Sequence, residues 1–111
     1  MITAIEGILV GTGVSWADVQ VGGVTLRANV PESSISHLSR SGDNLKLFTS
    51  LQVRDDGISL YGFPSEDYRQ AFETLIGVSG IGPRLALGIL SSLNTEELAH
   101  AIISGDPGVF K

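Results

Sequence analysis

A glycine-rich segment between two predicted helices carries the residues best suited to binding an anion. Residues 77–82 contain three glycines and are followed by Pro83 and Arg84. Gly80 and Gly82 can adopt backbone conformations closed to other residues and let a phosphate approach the main chain. Their N–H groups, with the start of the helix that Pro83 opens, would point outward as an anion site, and Arg84 could add a charge-assisted bond. We predict that one backbone phosphate binds here, without base readout, at Val78, Ser79, Gly80, Ile81, Gly82, Pro83 and Arg84.

This segment has the pattern of a helix-hairpin-helix element, in which Val78 and Ile81 turn inward between the helices. A Walker A loop is a poor match, because Pro83 and Arg84 stand where Lys and Ser or Thr are needed. A dinucleotide fingerprint is a poor match as well, since a helix precedes the segment and Leu85 occupies the third glycine position. The remaining alternative is a structural turn that binds nothing.

A second candidate is the acidic turn, which we define as Asp55, Asp56 and Gly57. Asp and Gly favour hairpin turns, so an ordinary turn is one interpretation. A protruding negative tip that repels phosphates is another. Metal chelation, as in a nuclease, is disfavoured because adjacent strand residues point to opposite faces and no third carboxylate lies nearby.

Other reactive groupings do not emerge from the sequence. There is no cysteine, and the two histidines, His37 and His100, are far apart. We therefore expect no catalytic residues, no metal site, no cofactor and surface positions for both histidines. Four aromatic residues could stack bases but more plausibly fill the core or pair across strands: Trp16, Phe48, Tyr61 and Phe63.

The elements that must position these residues change character near residue 63. Before it, short alternating segments predict five strands, with a brief helical segment from Pro31 to Leu38 between the third and fourth. Gly7 is a plausible bend in the first strand, residues 11–13 a turn, and Gly22-Gly23 a hairpin turn. This order predicts an OB-fold barrel. The predicted strands are Ile2–Val10, Trp16–Val21, Val24–Val30, Leu45–Val53 and Ile58–Phe63.

After Pro64 the hydrophobic period becomes helical. Ser65 is a suitable N-cap for a first helix whose apolar face is Tyr68, Phe72, Leu75 and Ile76. Pro83 begins a second helix that runs to about Leu93, and a third is predicted over Asn94–Ser104. Asp106-Pro107 resembles a further helix start with only four residues after it, so we interpret the chain as part of a longer protein. The predicted units are a barrel domain over 1–63 and the first, truncated part of a helix-hairpin-helix domain over 64–111.

The bulk composition gives limits rather than a function. No run of about 18 apolar residues is present, and the start lacks signal-peptide features, so we expect a cytoplasmic protein without membrane association. The formal net charge is −5, with only 7 Lys and Arg residues. Because phosphate neutralisation normally dominates nucleic-acid affinity, DNA binding would have to rely on backbone donors and a few placed cations.

Taken together, the sequence resembles the RuvA family of Holliday junction-binding subunits over essentially its whole length. The resemblance is densest over residues 51–63, close to a family pattern V-V-R-E-D-x-x-x-L-Y-G-F, and over residues 77–90, close to S-V-S-G-V-G-P-K-L-A-L-A-I-L. Asp55 stands where Glu is common in that family.

The resemblance implies a protein that is not an enzyme on its own but binds four-way DNA junctions for an ATP-dependent branch-migration helicase in bacterial recombination and repair. It implies a homotetramer, possibly an octamer, with the motor ATPase RuvB and the nuclease RuvC as partners. RuvB would be contacted through a C-terminal domain beyond Lys111, and Asp55 and Asp56 would form an acidic pin at the junction centre. Two alternatives remain: an oligomerisation module without DNA preference, and a metal-dependent nuclease.

Overall fold

The computed structural model describes residues 2–38 and 40–93, and its first part is a closed five-stranded barrel. The strands follow the order β1-β2-β3-β5-β4, in which β3 and β5 are parallel and the other pairs antiparallel. A closed barrel leaves no exposed strand edge. This confirms the predicted OB-fold barrel. The strands are β1 Ala4–Thr12, β2 Trp16–Val21, β3 Val24–Asn29, β4 Asn44–Arg54 and β5 Gly57–Phe63.

Strand β1 pairs with two neighbours and changes partner at Ile8, next to the glycine at which a bend was predicted. Its first half pairs with β4 and its second half with β2, and the register shifts between Leu9 and Gly11. The irregularity therefore lies around Val10, and β1 continues through Thr12, which was expected in a turn. Gly7 is needed because a Cβ there would clash with the carbonyl oxygen of Gln20.

The connections between the strands follow local turn chemistry. Gly22 adopts a φ of +61° in the two-residue hairpin turn between Val21 and Val24, as predicted. The helical segment between β3 and β4 is a 3-10 helix, η1, over Glu32–His37. The Ser34 N–H donates to the carbonyl oxygen of Pro31 at 2.9 Å, the three-residue spacing of that helix type.

Two helices follow the barrel: α1 over Glu66–Ile76 and α2 over Pro83–Ser91. Ser65 caps α1, because its side chain accepts from the Tyr68 N–H at 3.3 Å. Helix α2 ends two residues earlier than predicted, where the Ser92 N–H donates to the Ile89 carbonyl three residues back. The predictions for Asn94–Ser104, for Asp106-Pro107 and for His100 lie outside the described residues.

The side chains form two hydrophobic clusters. One fills the barrel interior, and the other, the barrel–helix core, joins the end of β5 to both helices. Phe72 of α1 is fully buried there, with its ring centroid 5.1 Å from that of Tyr61 and 4.9 Å from that of Phe63. The predicted division into units at residues 63 and 64 stays a prediction. Within the described ranges, no helix combines the length and apolar character needed to cross a membrane.

Candidate nucleic-acid interface

The turn between α1 and α2, which we call the α1–α2 hairpin, comprises residues 77–82 and reverses the chain with a single left-handed residue. Gly80 has a φ of +89°, a conformation that disfavours any side chain, as predicted. Gly82 has a φ of −88° and a ψ of 173°, which is ordinary extended backbone, and a Cβ there would meet open space. The expectation that Gly82 needs a conformation closed to other residues is therefore wrong, because Gly80 alone makes the reversal.

Backbone hydrogen bonds decide which N–H groups of this hairpin remain for a ligand. The Ile81 N–H donates to the Val78 carbonyl at 3.1 Å, so it is occupied within the turn. Over residues 2–38 and 40–93, the Gly80 and Gly82 N–H groups have no backbone acceptor. The N–H groups in the first turn of α2 lack a side-chain cap, because the N-cap residue is Gly82. These donors, rather than that of Ile81, can face an anion.

The side chains of the hairpin divide between the core and the solvent. Ile81 packs against the barrel–helix core and Val78 is half-buried, in the direction predicted for both. Ser79 is exposed, and so is Arg84 in the first turn of α2. Pro83 occupies the first helical position, where its missing N–H costs no hydrogen bond.

The acidic turn caps the hairpin of β4 and β5. The last backbone pair is Arg54 with Gly57, so Asp55 and Asp56 are the two residues of the turn, and both are exposed. Gly57 has a φ of +141°, which accounts for glycine at the start of β5. The two carboxylates therefore project at the tip of a hairpin.

Residues of the acidic turn and of the α1–α2 hairpin line the same groove, which has a volume of about 900 Å³. The barrel wall contributes Arg54, Asp56 and Gly57, and the helical wall contributes residues 82–85. The sequence predicted the two turns separately but not that they share a groove. That juxtaposition depends on how α1 packs on β5. Further lining residues are Ser15, Trp16, Asn29, Glu32, Gln52, Ser59, Tyr61, Leu87, Gly88 and Ser91.

Two arginines outside this groove lining are engaged with carboxylates. Arg27 donates to Asp18 at 2.8 Å and lies 3.7 Å from the ring centroid of Trp16. The hydrogen bond from Arg27 lowers the pKa of Asp18, and burial offsets part of that shift. Arg69 donates to Glu66 at 2.8 Å, and its hydrogen bond likewise lowers the pKa of Glu66.

The two arginines that line the groove differ from these. Neither Arg54 nor Arg84 forms an ion pair with any other residue that the structure describes. Both side chains are exposed, so their charges are available to an anion in the groove.

The aromatic residues follow the expected division. Tyr61 and Phe63 are buried in the barrel–helix core, which confirms the core interpretation for both. Phe48 is half-buried with the ammonium of Lys46 5.1 Å from its ring centroid. Trp16 is half-buried and lines the groove, a position that no sequence pattern predicted.

Metal-binding groups and histidines add little to this surface. Among the described residues, no three His, Cys, Asp or Glu side chains are grouped so that they could hold a metal ion. His37 is exposed, as predicted.

Comparison with known proteins places both parts of the chain. Residues 1–62 match the family model of the RuvA N terminal domain, and residues 72–107 match that of the SAM-like helix-hairpin-helix tandem. A Holliday junction branch migration complex subunit RuvA from Dehalococcoides mccartyi is 46% identical over 96% of this chain and 55% of its own length. Subunits of the same name from a Roseiflexus strain and Gloeobacter violaceus are 43% and 44% identical over 96% of this chain, and over 54% and 53% of their own length. The chain thus spans about half the length of the curated relatives it matches.

Proposed function

Since the chain belongs to the RuvA family, we propose that it binds four-way DNA junctions as the non-catalytic, structure-specific part of a branch-migration complex. The relatives carry the name of a Holliday junction branch migration complex subunit. In this proposal the chain recognises the shape of the junction through phosphates and reads no base.

The observation that carries the proposal is the shared groove. Gly82, Pro83 and Arg84 form part of one wall, and Asp56 and Gly57 form part of the other. One wall therefore offers N–H donors and a guanidinium, and the other offers a carboxylate at the tip of a hairpin. A ligand that carries phosphates along one edge and leaves the acidic tip clear fits this arrangement better than a uniformly charged duplex does.

Binding would combine attraction of phosphates by one wall of the groove with repulsion of phosphates by the other. The uncapped N–H groups near Gly80 and Gly82 and at the start of α2 hold one phosphate oxygen, and Arg84 supplies the charge. Asp55 and Asp56 repel phosphates from the tip, which keeps strands apart at an open junction and disfavours an ordinary duplex. With a net charge of −5, the chain as a whole repels DNA at long range, so affinity depends on these local contacts.

The assembly and partners belong to the same proposal. We propose a bacterial cytoplasmic homotetramer, with an octamer as a further state, whose acidic turns meet at the junction centre. Branch migration is then driven by a separate ATPase, RuvB, bound through a C-terminal domain, and RuvC resolves the junction. The relatives' name supports only the coarser part of this proposal, that the chain is a subunit of a complex. We also propose that residues 1–63 and 64–111 are the two domains, which the separate family matches support.

A salt titration tests the proposal. Binding of this chain to a labelled immobile four-way junction and to a linear duplex of matched sequence is measured from low to moderate salt. We expect tighter binding to the junction, and we expect Arg84→Gln to lower the slope of log affinity against log salt by about 0.9, the value for one lost phosphate contact. Arg40→Gln removes an exposed charge outside the groove lining and serves as the matched control.

Equal affinity for junction and duplex would reject the junction-binding proposal and favour an oligomerisation module. A salt slope that Arg84→Gln changes no more than Arg40→Gln does would reject the hairpin as the phosphate site.

A further inference from the structure

The barrel wall of the groove carries a cation of its own, Arg54, immediately before the acidic turn. Two aspartates follow it in sequence, yet in the described part of the chain its guanidinium pairs with no carboxylate. Its recorded contact is with a neutral amide: Nη2 donates to Oε1 of Gln52 at 3.4 Å. Most of its donors are therefore open to a ligand in the groove.

A series of polar contacts, the polar chain, links Arg54 to helix α1. The Gln52 Nε2 donates to the Ser50 Oγ at 2.8 Å, and the Ser50 Oγ donates to the Glu73 Oε1 of α1 at 2.7 Å. The Arg69 Nη1 lies 3.7 Å from the same Glu73 oxygen. Ser50, Gln52 and Arg54 alternate along β4, so their side chains share one face of the strand.

These polar contacts favour one direction of the Arg54 side chain. Ser50 is only 3% exposed, so the hydroxyl that links Gln52 to Glu73 is held inside the fold although the Glu73 carboxylate itself is exposed. Gln52 uses its amide nitrogen toward Ser50 and its amide oxygen toward Arg54, which leaves one orientation of that amide. A guanidinium that is held in this way loses less rotamer freedom when it binds an anion.

We propose that Arg54 is a second phosphate-binding residue of the groove, held by Gln52, Ser50 and Glu73, and that it acts across the groove from Arg84. The inference rests on the proposed junction-binding function and extends it to the barrel. The β4–β5 hairpin then attracts a phosphate inside the groove through Arg54 and repels phosphates at its tip through Asp55 and Asp56. A DNA strand is admitted to the groove but not over the tip.

The test uses this chain and the labelled four-way junction, with affinity measured across a salt series. Arg54→Gln should weaken binding roughly threefold to tenfold at low salt and lower the salt slope by about 0.9. Arg54→Lys keeps the charge and should keep the slope. The double variant with Arg84→Gln should lower the slope by about 1.8, because each arginine neutralises its own phosphate.

Two comparisons separate the failure of this inference from the failure of the proposed function. If Arg84→Gln lowers the slope and Arg54→Gln behaves like the Arg40→Gln control, the inference is wrong and the proposed function stands. If the parent chain does not prefer the junction to the duplex, the proposed function fails and the inference with it.

A separate variant tests the polar chain that links Arg54 to Glu73. Ser50→Ala leaves every charge in place and removes the link between Gln52 and Glu73. We expect it to weaken junction binding about twofold to threefold with the slope unchanged, since the contact survives but is less well oriented. Parental affinity in a folded Ser50→Ala protein would overturn the positioning role.

Discussion

The acidic turn and the α1–α2 hairpin face the same groove but present charge in different ways. The acidic turn presents charge through side chains, because Asp55 and Asp56 are exposed at the end of a regular two-stranded hairpin. The α1–α2 hairpin would act mainly through its backbone, because within residues 2–38 and 40–93 the N–H groups of Gly80 and Gly82 have no backbone acceptor and the start of α2 has no side-chain cap.

This difference determines which substitutions each turn tolerates. The acidic side chains can be neutralised without altering the β4–β5 ladder, so their effect on binding can be measured in an intact fold. The hairpin offers its donors only while Gly80 keeps a φ of +89°, so its function depends on conformation. In the proposed function, repulsion depends on residue type alone, whereas attraction depends on backbone geometry together with the arginines of the groove, and selectivity needs both.

The largest effect is expected where the two turns are held together. Phe72→Ala should lower the free energy of unfolding by about 3–5 kcal/mol, because it removes a fully buried ring from the barrel–helix core and leaves a cavity. Denaturant unfolding measures the loss. Since that core fixes α1 against β5, junction preference should fall as well, even under conditions in which the protein stays folded.

Phe72→Leu is the matched variant, since it retains most of the apolar volume. It should cost much less stability and keep the junction preference. If Phe72→Ala left the preference intact in a folded protein, the packing of α1 on β5 would not be what sets the two turns against each other.

How well each region could be predicted depends on whether the residues that shape it lie close together in sequence. The barrel order could be read from alternation and turn residues, because Gly22-Gly23 and the acidic turn each set a hairpin locally. Gly80 was recognised for the same reason. The close approach at Gly7 could not be predicted, because it involves the carbonyl of Gln20, a residue distant in sequence.

The groove itself has no sequence signal. It forms because Phe72 packs against Tyr61 and Phe63, which brings α2 alongside the β4–β5 hairpin. Hydrophobic periodicity predicted that Phe72 is buried but not what it contacts. The positions of Trp16 and Arg54 in the groove lining were not predicted for this reason, since both are ordinary strand residues until the helices close the groove.

The second prediction concerns the backbone of the α1–α2 hairpin. Gly80→Ala should destabilise the protein by about 1–2 kcal/mol, because alanine is strained at positive φ. It should also weaken junction binding, since relief of the strain moves the N–H donors. Thermal unfolding and the junction titration measure the two effects.

Gly82→Ala is the matched control for that change. Its backbone is extended and its Cβ would meet open space, so stability should stay within about 0.5 kcal/mol of the parent. Equal losses for the two variants would contradict the assignment of the reversal to Gly80 alone.

The third prediction concerns the acidic turn. Replacing Asp55 and Asp56 together by Asn should strengthen binding to linear duplex roughly threefold to tenfold, because two carboxylates no longer repel phosphates. Stability should change little, since both residues are exposed. The junction-to-duplex affinity ratio should therefore fall. Weaker duplex binding by the variant would count against a repulsive tip.

The smallest effect is expected at Asp18, a carboxylate like those of the acidic turn. It lies on β2 outside the groove lining and pairs with Arg27. Asp18→Asn should lower the melting temperature by at most a few degrees at neutral pH, as is usual for a largely exposed ion pair. The hydrogen bond from Arg27 lowers the pKa of Asp18 in the folded state below its ordinary value of about 3.9. The stability that the pair contributes is thus present above that ordinary value and is lost as the pH falls through the folded-state pKa. The melting temperatures of variant and parent should therefore converge in acid.

This variant also decides what the acidic turn does. Asp18→Asn raises the net charge by one, as Asp56→Asn alone would, but it does so outside the groove lining. If the position of the carboxylate matters, Asp18→Asn should leave the junction-to-duplex affinity ratio unchanged while Asp56→Asn lowers it. An equal fall in both variants would mean that total charge governs duplex binding, and the contrast between the two turns would then reduce to the attraction supplied by the hairpin.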